Sequence, residues 1–437
     1  MANKRRPKKV KAPYRKYVAG QGFVHTRGFN NNDDAVGITV QQDRHPNGEV
    51  FRTPQGSYIY DVHTESIVQV EPAPEVPGSL RDKMGDFQAH NAVLPWEVFD
   101  IVLRLCPKVE PQFLLVCRHW YHICVPLLYA SPRLQSRNFS QFVDAVVNNR
   151  KKRLGENVMD LDLSNIIQSG KNSYVSKLLR RCSPKLRRFT APQTSFGYAP
   201  LISLKACRRL QFLDLGLVSE TVQLGELFSA IKEFTSLTHL SFPRSSVDCS
   251  GFRNFEWPPN LQYLKLSGGI TNEFVRETEF PRTIRTLEFS FCPQINEHAV
   301  YTVLAKIGDS LRHLYFHYPM PTLHGTSLDF VFRYCTNLVT LQLTVDYCSK
   351  WAFSEHMLVA LSSPRPLKTL LLECSGNLGQ AFKVHPDDIT IALAEDRLPN
   401  LDTIRVSSKV GWDMRSSDVT DLISYLEDQN GSLYIKY

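Results

Sequence analysis

Thirteen histidines, ten cysteines and 43 carboxylates give this 437-residue chain ample material for acid–base, nucleophilic or metal chemistry. Their spacing points to none of it. The cysteines stand at 106, 117, 124, 182, 207, 249, 292, 335, 348 and 374, with no C-x-x-C pair, and a metal site needs ligands clustered at short spacing. Most lie beside apolar residues, as small buried thiols of a reducing compartment do. No G-x-S-x-G, H-E-x-x-H, P-loop or G-x-G-x-x-G occurs. The expectation is a protein with no catalytic residue, no cofactor and no metal. The residue types best suited to recognising a protein are Tyr263, Lys265, Glu288, His313, Tyr315 and His317: two aromatic anchors among groups that hydrogen-bond.

Those six belong to a segment that recurs. L-x-x-L-x-L stretches begin at Val158, Leu186, Leu210, Leu237, Leu261, Ile284, Leu311, Leu338, Leu367 and Leu401, in steps of 28, 24, 27, 24, 23, 27, 27, 29 and 34 residues. Ten in order predict an α/β leucine-rich-repeat solenoid, a horseshoe with parallel strands inside and helices outside, over residues 139–437. Such a surface usually binds rather than catalyses. Alternate strand residues point to opposite faces. Leu240, Leu264, Leu287, Leu314 and Leu341 should form one core ladder. The intervening residues should line the concave face: Asp160, Asp162, Phe212, Asp214, His239, Ser241, Thr286, Thr340, Gln342, Thr369, Glu373, Thr403 and Arg405, together with the six above.

Return segments carry helix signals. Leu224, Leu227, Phe228 and Ile231 share one face, and Asn296 caps a helix bearing Val300, Val303, Leu304 and Ile307. Thr326 with Asp329 reads as a capping box, and Ser354 precedes Met357, Leu358 and Leu361. Ser416 or Ser417 starts a last helix, stopped near Gly431, that would cap the open end of the sheet.

The net charge of +8 resides in residues 1–16: Lys4, Arg5, Arg6, Lys8, Lys9, Lys11, Arg15 and Lys16. The other 43 basic and 43 acidic residues cancel, so no global field draws the body to nucleic acid or anionic lipid. No apolar run long enough to span a membrane and no apolar leader is present, so neither insertion nor secretion is expected. The tail reads as disordered. Its LysArgArgProLysLys (4–9) suits either nuclear import or a solvated basic segment, and the protein is expected in nucleus and cytoplasm. Residues 17–90 are poor in leucine; 49–62 suggest a hairpin turning at Pro54 to Gly56, and 71–78 a linker. The whole of 1–90 is expected to be a region of low order.

Residues 94–129 are dense in helix signals. Leu94-Pro95 opens the stretch, Glu97 suits the first turn, and Val98, Ile101, Val102 and Leu105 form one apolar stripe. Pro107 and Pro111 break this helix, Phe113, Leu114, Val116, Cys117 and Trp120 supply a second apolar set, and Pro126 marks a third break. Three such small helices carry more apolar surface than they can hide from one another.

The Leu-Pro opening, the acid two positions after the proline, Ile101, Leu105, Val116-Cys117-Arg118, Trp120 and the Pro-Leu-Leu-Tyr end (126–129) resemble an F-box, placed at 91–138. The segment ProLysValGluPro (107–111) departs from the family pattern. An F-box ahead of leucine-rich repeats resembles the F-box/LRR substrate receptors of SCF-type cullin-RING ubiquitin ligases. The resemblance implies a Skp adaptor as partner, and through it cullin and RING subunits. Leu94, Pro95, Glu97, Ile101, Leu105, Val116, Cys117 and Trp120 would form or support the adaptor interface. It further implies a protein substrate on the repeats and no catalysis by this chain. A non-degradative adaptor-binding scaffold, or an RNA-associated repeat protein using the basic tail, are the alternatives.

Overall fold

In the computed structural model the described residues are strand positions between 15 and 70, and 95–436 apart from 107–108, 150–152, 168–169, 245–246 and 378–379. The chain divides into two compact units, Met1–Val93 and Leu94–Tyr437.

In the first unit, strands β1 (Arg15–Val18) and β2 (Gly22–His25) form an antiparallel hairpin. Four more strands, β3 (Arg44–His45), β4 (Gly48–Thr53), β5 (Gly56–Asp61) and β6 (Ser66–Val70), make a second antiparallel sheet. The expected hairpin is present: Thr53 pairs with Gly56, and Pro54 and Gln55 between them lie outside the described residues. Arg15 and Lys16, expected in a disordered tail, instead pair with His25 and Val24. The remaining tail residues and the 71–78 linker lie outside the described residues.

The second unit opens with α1 (Trp96–Leu105), a 3-10 turn over Pro111–Leu115 and α2 (Arg118–Ala130). The break expected at Pro126 does not occur. The helix runs through it to Ala130, as when neighbouring packing outweighs the one amide hydrogen bond a proline deletes. A short α3 (Phe139–Val143) follows.

Eleven strands then form one parallel sheet: β7 (Asp160–Asp162), β8 (Arg188–Thr190), β9 (Phe212–Asp214), β11 (His239–Ser241), β13 (Tyr263–Leu266), β14 (Thr286–Ser290), β15 (His313–His317), β16 (Thr340–Thr344), β17 (Thr369–Glu373), β18 (Thr403–Ser407) and β19 (Ser432–Lys436). Two short outer strands, β10 (Val222–Gln223) and β12 (Val247–Asp248), pair separately. Leu240, Leu264, Leu287, Leu314 and Leu341 stand in register and are fully buried, as expected. The same row continues through Leu213, Phe189 and Leu161 on one side and Leu370 and Ile404 on the other.

Helices α4 (Asn172–Cys182), α5 (Tyr198–Leu204), α6 (Leu224–Ile231), α7 (Asn272–Glu277), α8 (Glu297–Ile307), α9 (Val331–Tyr334), α10 (Pro386–Ala394) and α11 (Ser417–Asp428) fill the return segments. Asn296 caps α8 by accepting from the Ala299 amide at 3.0 Å, and Ser416 caps α11 through the Val419 amide. Two expected helix starts fail. Asp329 accepts from both the amide and the hydroxyl of Ser349, which removes it from any capping box, and only the single turn of α9 follows. After Ser354 come turns rather than a helix, preceded by a 3-10 turn over Lys350–Phe353. The last helix does not cap the sheet: the chain returns after Gly431 as β19 and pairs with β18.

Candidate functional site

Two surfaces carry the sequence-predicted residues. On the first, the aromatic rings turn inward. Trp120 of α2 lies with its ring centroid 5.6 Å from Phe113 and 6.3 Å from Phe99, and Leu103, Cys124 and Val125 are buried beneath. Trp120 thus supports the surface more than it forms it. Cys117 is exposed and caps α2, its Sγ facing the Trp120 amide. Pro95 and Glu97 are exposed at the start of α1, with Pro95 at the N-cap; Leu94 lies outside the described residues.

The stripe read from spacing faces outward. Val98 and Val102 are exposed, Ile101 is 56% exposed and Leu105 76%, and Leu115 and Val116 add to them. Burying a side chain of this size stabilises by about 1.5–3 kcal/mol, so six such groups in water mark an interaction surface rather than a finished core.

On the second surface, the concave side of β13 to β16, Tyr263, Thr286, Glu288, His313, Tyr315, His317 and Gln342 line a hollow of about 540 Å³. Five of the six predicted contact residues are among them; the sixth, Lys265, adjoins through Glu288. The Glu288 carboxylate is the centre. It accepts from the Tyr263 hydroxyl, Lys265 Nζ lies 2.5 Å away, and His317 Nε2 3.2 Å away. Gln342 Nε2 meets the other ring nitrogen of His317 at 3.0 Å. Burial by itself would raise the Glu288 carboxyl, but hydrogen bonds from His317, Lys265 and Tyr263 outweigh it and hold the group down at about 2. Burial and then the Glu288 carboxylate push the Tyr263 hydroxyl up, so it is a donor and not a nucleophile.

A column of stacked side chains leads into this centre. The Arg188 guanidinium sits 4.1 Å over the Phe212 ring, Phe212 stacks on His239 at 4.0 Å, and His239 on Tyr263 at 3.8 Å. Burial, with help from Arg188 and Lys265, lowers His239 to about 4, so the stack holds a neutral imidazole at neutral pH. Arg188 is the residue that sequence reasoning missed. Alternation alone would have found it, because it stands two positions after Leu186, as Phe212 does after Leu210. Leu371 on β17 was missed in the same way. Of the buried thiols, burial pushes Cys207 and Cys292 up to about 12 and Cys249 to about 11, which leaves them unreactive.

A small helical head with an outward apolar stripe, joined to a parallel repeat sheet, defines an F-box/leucine-rich-repeat architecture. The chain belongs to the F-box protein family. It is 54% identical to F-box protein YDR306C of Saccharomyces cerevisiae over 484 aligned positions covering the whole of both chains, and 31% identical to Protein pof5 of Schizosaccharomyces pombe over 74% of this chain and 90% of that one. No family model matches. Among solved structures it resembles a chain of the yeast Rad7 and Elc1 complex (15% identical, covering 68% of this chain and 93% of that one, TM-score 0.33). It also resembles the leucine-rich repeat-containing protein LegL7 from Legionella pneumophila (15% identical, 69% and 97%, TM-score 0.37). Scores this low carry nothing further.

Proposed function

We propose that this protein is the substrate-recognition subunit of an SCF-type ubiquitin ligase. The F-box stripe binds a Skp-type adaptor, which links to cullin and RING subunits, and the concave face holds the protein substrate. The observation that carries the reading is the row Val98, Ile101, Val102 and Leu105 on one exposed helix face within a chain of the F-box family. Pro95, Glu97, Val116 and Cys117, exposed like that row, would complete the adaptor contact together with Leu94, which lies outside the described residues.

The chain's own contribution is proximity. Holding a substrate lysine beside an activated ubiquitin thioester raises its effective concentration, without any catalytic group here. Tyr263, Lys265, Glu288, His313, Tyr315 and His317 offer a preorganised surface, because Glu288 already fixes three of them. Among the described residues no helix is long and apolar enough to cross a membrane, and the expected sites of action are nucleus and cytoplasm.

Affinity purification of the full chain from cells tests this. Recovery of a Skp-type adaptor with cullin and RING subunits, and loss of ubiquitin conjugates on specific co-purifying proteins when the gene is deleted, is the expected outcome. Adaptor recovery with unchanged conjugates would leave the non-degradative scaffold as the correct reading.

A further inference from the structure

The two ends of the solenoid are finished differently. At the N-terminal end the segment from α2 through α3 closes the core. Leu134, Phe139, Val143 and Val146 are buried in one cluster with Leu161 and Leu163, and the Met159 amide donates to the Ala130 carbonyl at 2.9 Å. At the C-terminal end the sheet stops at β19, which has no partner on its far side among the described residues. Leu433 and Ile435 continue the core rows of Ile404 and Val406, yet both are only half-buried, whereas Ile404 and Val406 are buried. An open edge of this kind is a ready template for pairing with another chain.

The backbone of β19 shows what is free. The Ser432 amide donates to the Asp402 carbonyl at 2.7 Å. Residues of a parallel strand turn amide and carbonyl alternately to its two sides, so Ser432, Tyr434 and Lys436 serve β18, and Leu433 and Ile435 point both groups outward. The side chains of Leu433 and Ile435 face the core, and those of Ser432, Tyr434 and Lys436 face the concave side.

Behind the strand, the end face of α11 is equally bare. Asp418 lies 3.4 Å from His385 at the start of α10. The face of α11 turned away from α10 is therefore the one half a turn round, which carries Thr420, Ile423 and Glu427. Thr420 and Glu427 are exposed and Ile423 is half-buried, whereas Val419, Leu422 and Leu426 are fully buried.

We infer that this end binds a second copy of the same chain, β19 against β19, antiparallel about a twofold axis at Tyr434. The edge is complementary to its own reverse. Turned end for end, Ser-Leu-Tyr-Ile-Lys sets Leu433 opposite Ile435 of the second copy, so each outward amide meets an outward carbonyl. On the core side leucine then meets isoleucine. On the concave side Tyr434 meets its own copy and Lys436 meets serine, so no like charges face each other. The helices fit the same axis. Tyr434 stands two residues beyond the start of β19, a rise of about 6.6 Å, and Ile423 five residues before the end of α11, about 7.5 Å. The axis thus passes α11 near Ile423, sets Ile423 against its own copy and brings Glu427 towards the N-terminal end of the other α11, where the helix dipole favours a carboxylate.

A foreign strand would satisfy the edge but leave Ile423 in water. A second copy covers both, because it carries the same strand and helix at the same spacing. The strand offers a charged peptide little to read, since its one cation, Lys436, is already paired with Glu373 at 2.9 Å. The contact does not depend on the adaptor and substrate reading. It would join two eleven-stranded sheets and place the two helical heads at opposite ends.

Sedimentation equilibrium of the full chain across a concentration series tests this. The parent should follow a monomer–dimer equilibrium with no higher species, because a twofold contact closes on itself. Tyr434 is 53% exposed, so substitution there should leave the fold intact, which thermal melting checks. Tyr434→Lys sets two cations face to face and Tyr434→Glu two anions, and each should weaken self-association about tenfold or more. Mixed one to one, the two variants should associate again with about the parent's affinity, because opposite charges now face across the axis. A monomeric parent would leave the edge to a strand of another protein and overturn the inference. Failure of the mixture to recover would do the same. So would association unchanged in both Tyr434 variants, which would move the contact elsewhere, to the α1 stripe if Ile101→Asp with Leu105→Asp abolishes it.

Discussion

Lys265 and Glu288 occupy facing positions on neighbouring parallel strands, and their charged atoms close to 2.5 Å. The pair is part of a network, since Tyr263 and His317 bind the same carboxylate. Cross-strand partners of opposite charge stabilise a sheet locally. Here they also fix the floor of the concave surface.

The first consequence is a two-stage acid response. An unfolded carboxyl titrates near 4.3 and an unfolded imidazole near 6.5, whereas Glu288 sits at about 2 and His239 at about 4 in the folded protein. Both are depressed, so each contributes stability that is present at higher pH and lost as pH falls. His239 loses its share between about 6.5 and 4, and Glu288 its share from about 4.3 down to 2, on the order of 2–3 kcal/mol for Glu288. Urea unfolding from pH 7 to pH 3 should show His239→Phe flattening the upper stage and Glu288→Gln the lower one. Parallel pH curves for all three proteins would show that neither group is coupled to folding.

Leu287 is fully buried between Leu264 and Leu314 in the core ladder. Leu287→Asp must bury a charge or protonate it, at a cost of several kcal/mol. The variant should be insoluble or melt far below the parent. A soluble protein with the parent's Tm contradicts the register.

Tyr263 and Tyr315 line the same hollow. Removing a central aromatic anchor typically costs about 2 kcal/mol or more at a binding hot spot. Tyr263→Ala with Tyr315→Ala should leave adaptor recovery intact and reduce substrate capture at least tenfold, read by proximity labelling. An unchanged set of labelled proteins moves the reading surface elsewhere, first to residues 373–400, where the repeat step is longest.

Residues 1–11 hold six of the eight tail charges. Their deletion should leave Tm unchanged and lower the nuclear fraction, measured by imaging of a tagged chain. An equal nuclear fraction would leave only the solvated-tail reading.

The repeat register was legible because a leucine every third and second residue has few other meanings. The eleventh strand was not: Leu433 joins the ladder, but the position three residues before it, filled by Leu or Ile in most repeats, is Asn430 at φ 58. The concave residues followed from alternation, yet nothing in one-dimensional spacing shows that Glu288 gathers three donors from the two strands that flank its own. The failed cap at Asp329 has the same origin, a partner 20 residues away.

The central claim is that the outward face of α1 is built for an adaptor. Titration of purified Skp-type adaptor onto the full chain, followed by calorimetry, measures it directly. The parent should bind saturably at one to one. Ile101→Asp with Leu105→Asp removes two side chains worth about 1.5–3 kcal/mol each when buried, so affinity should fall more than a hundredfold, with thermal melting unchanged because both residues are exposed. Equal affinity in the double variant, or no binding by the parent, would contradict the account.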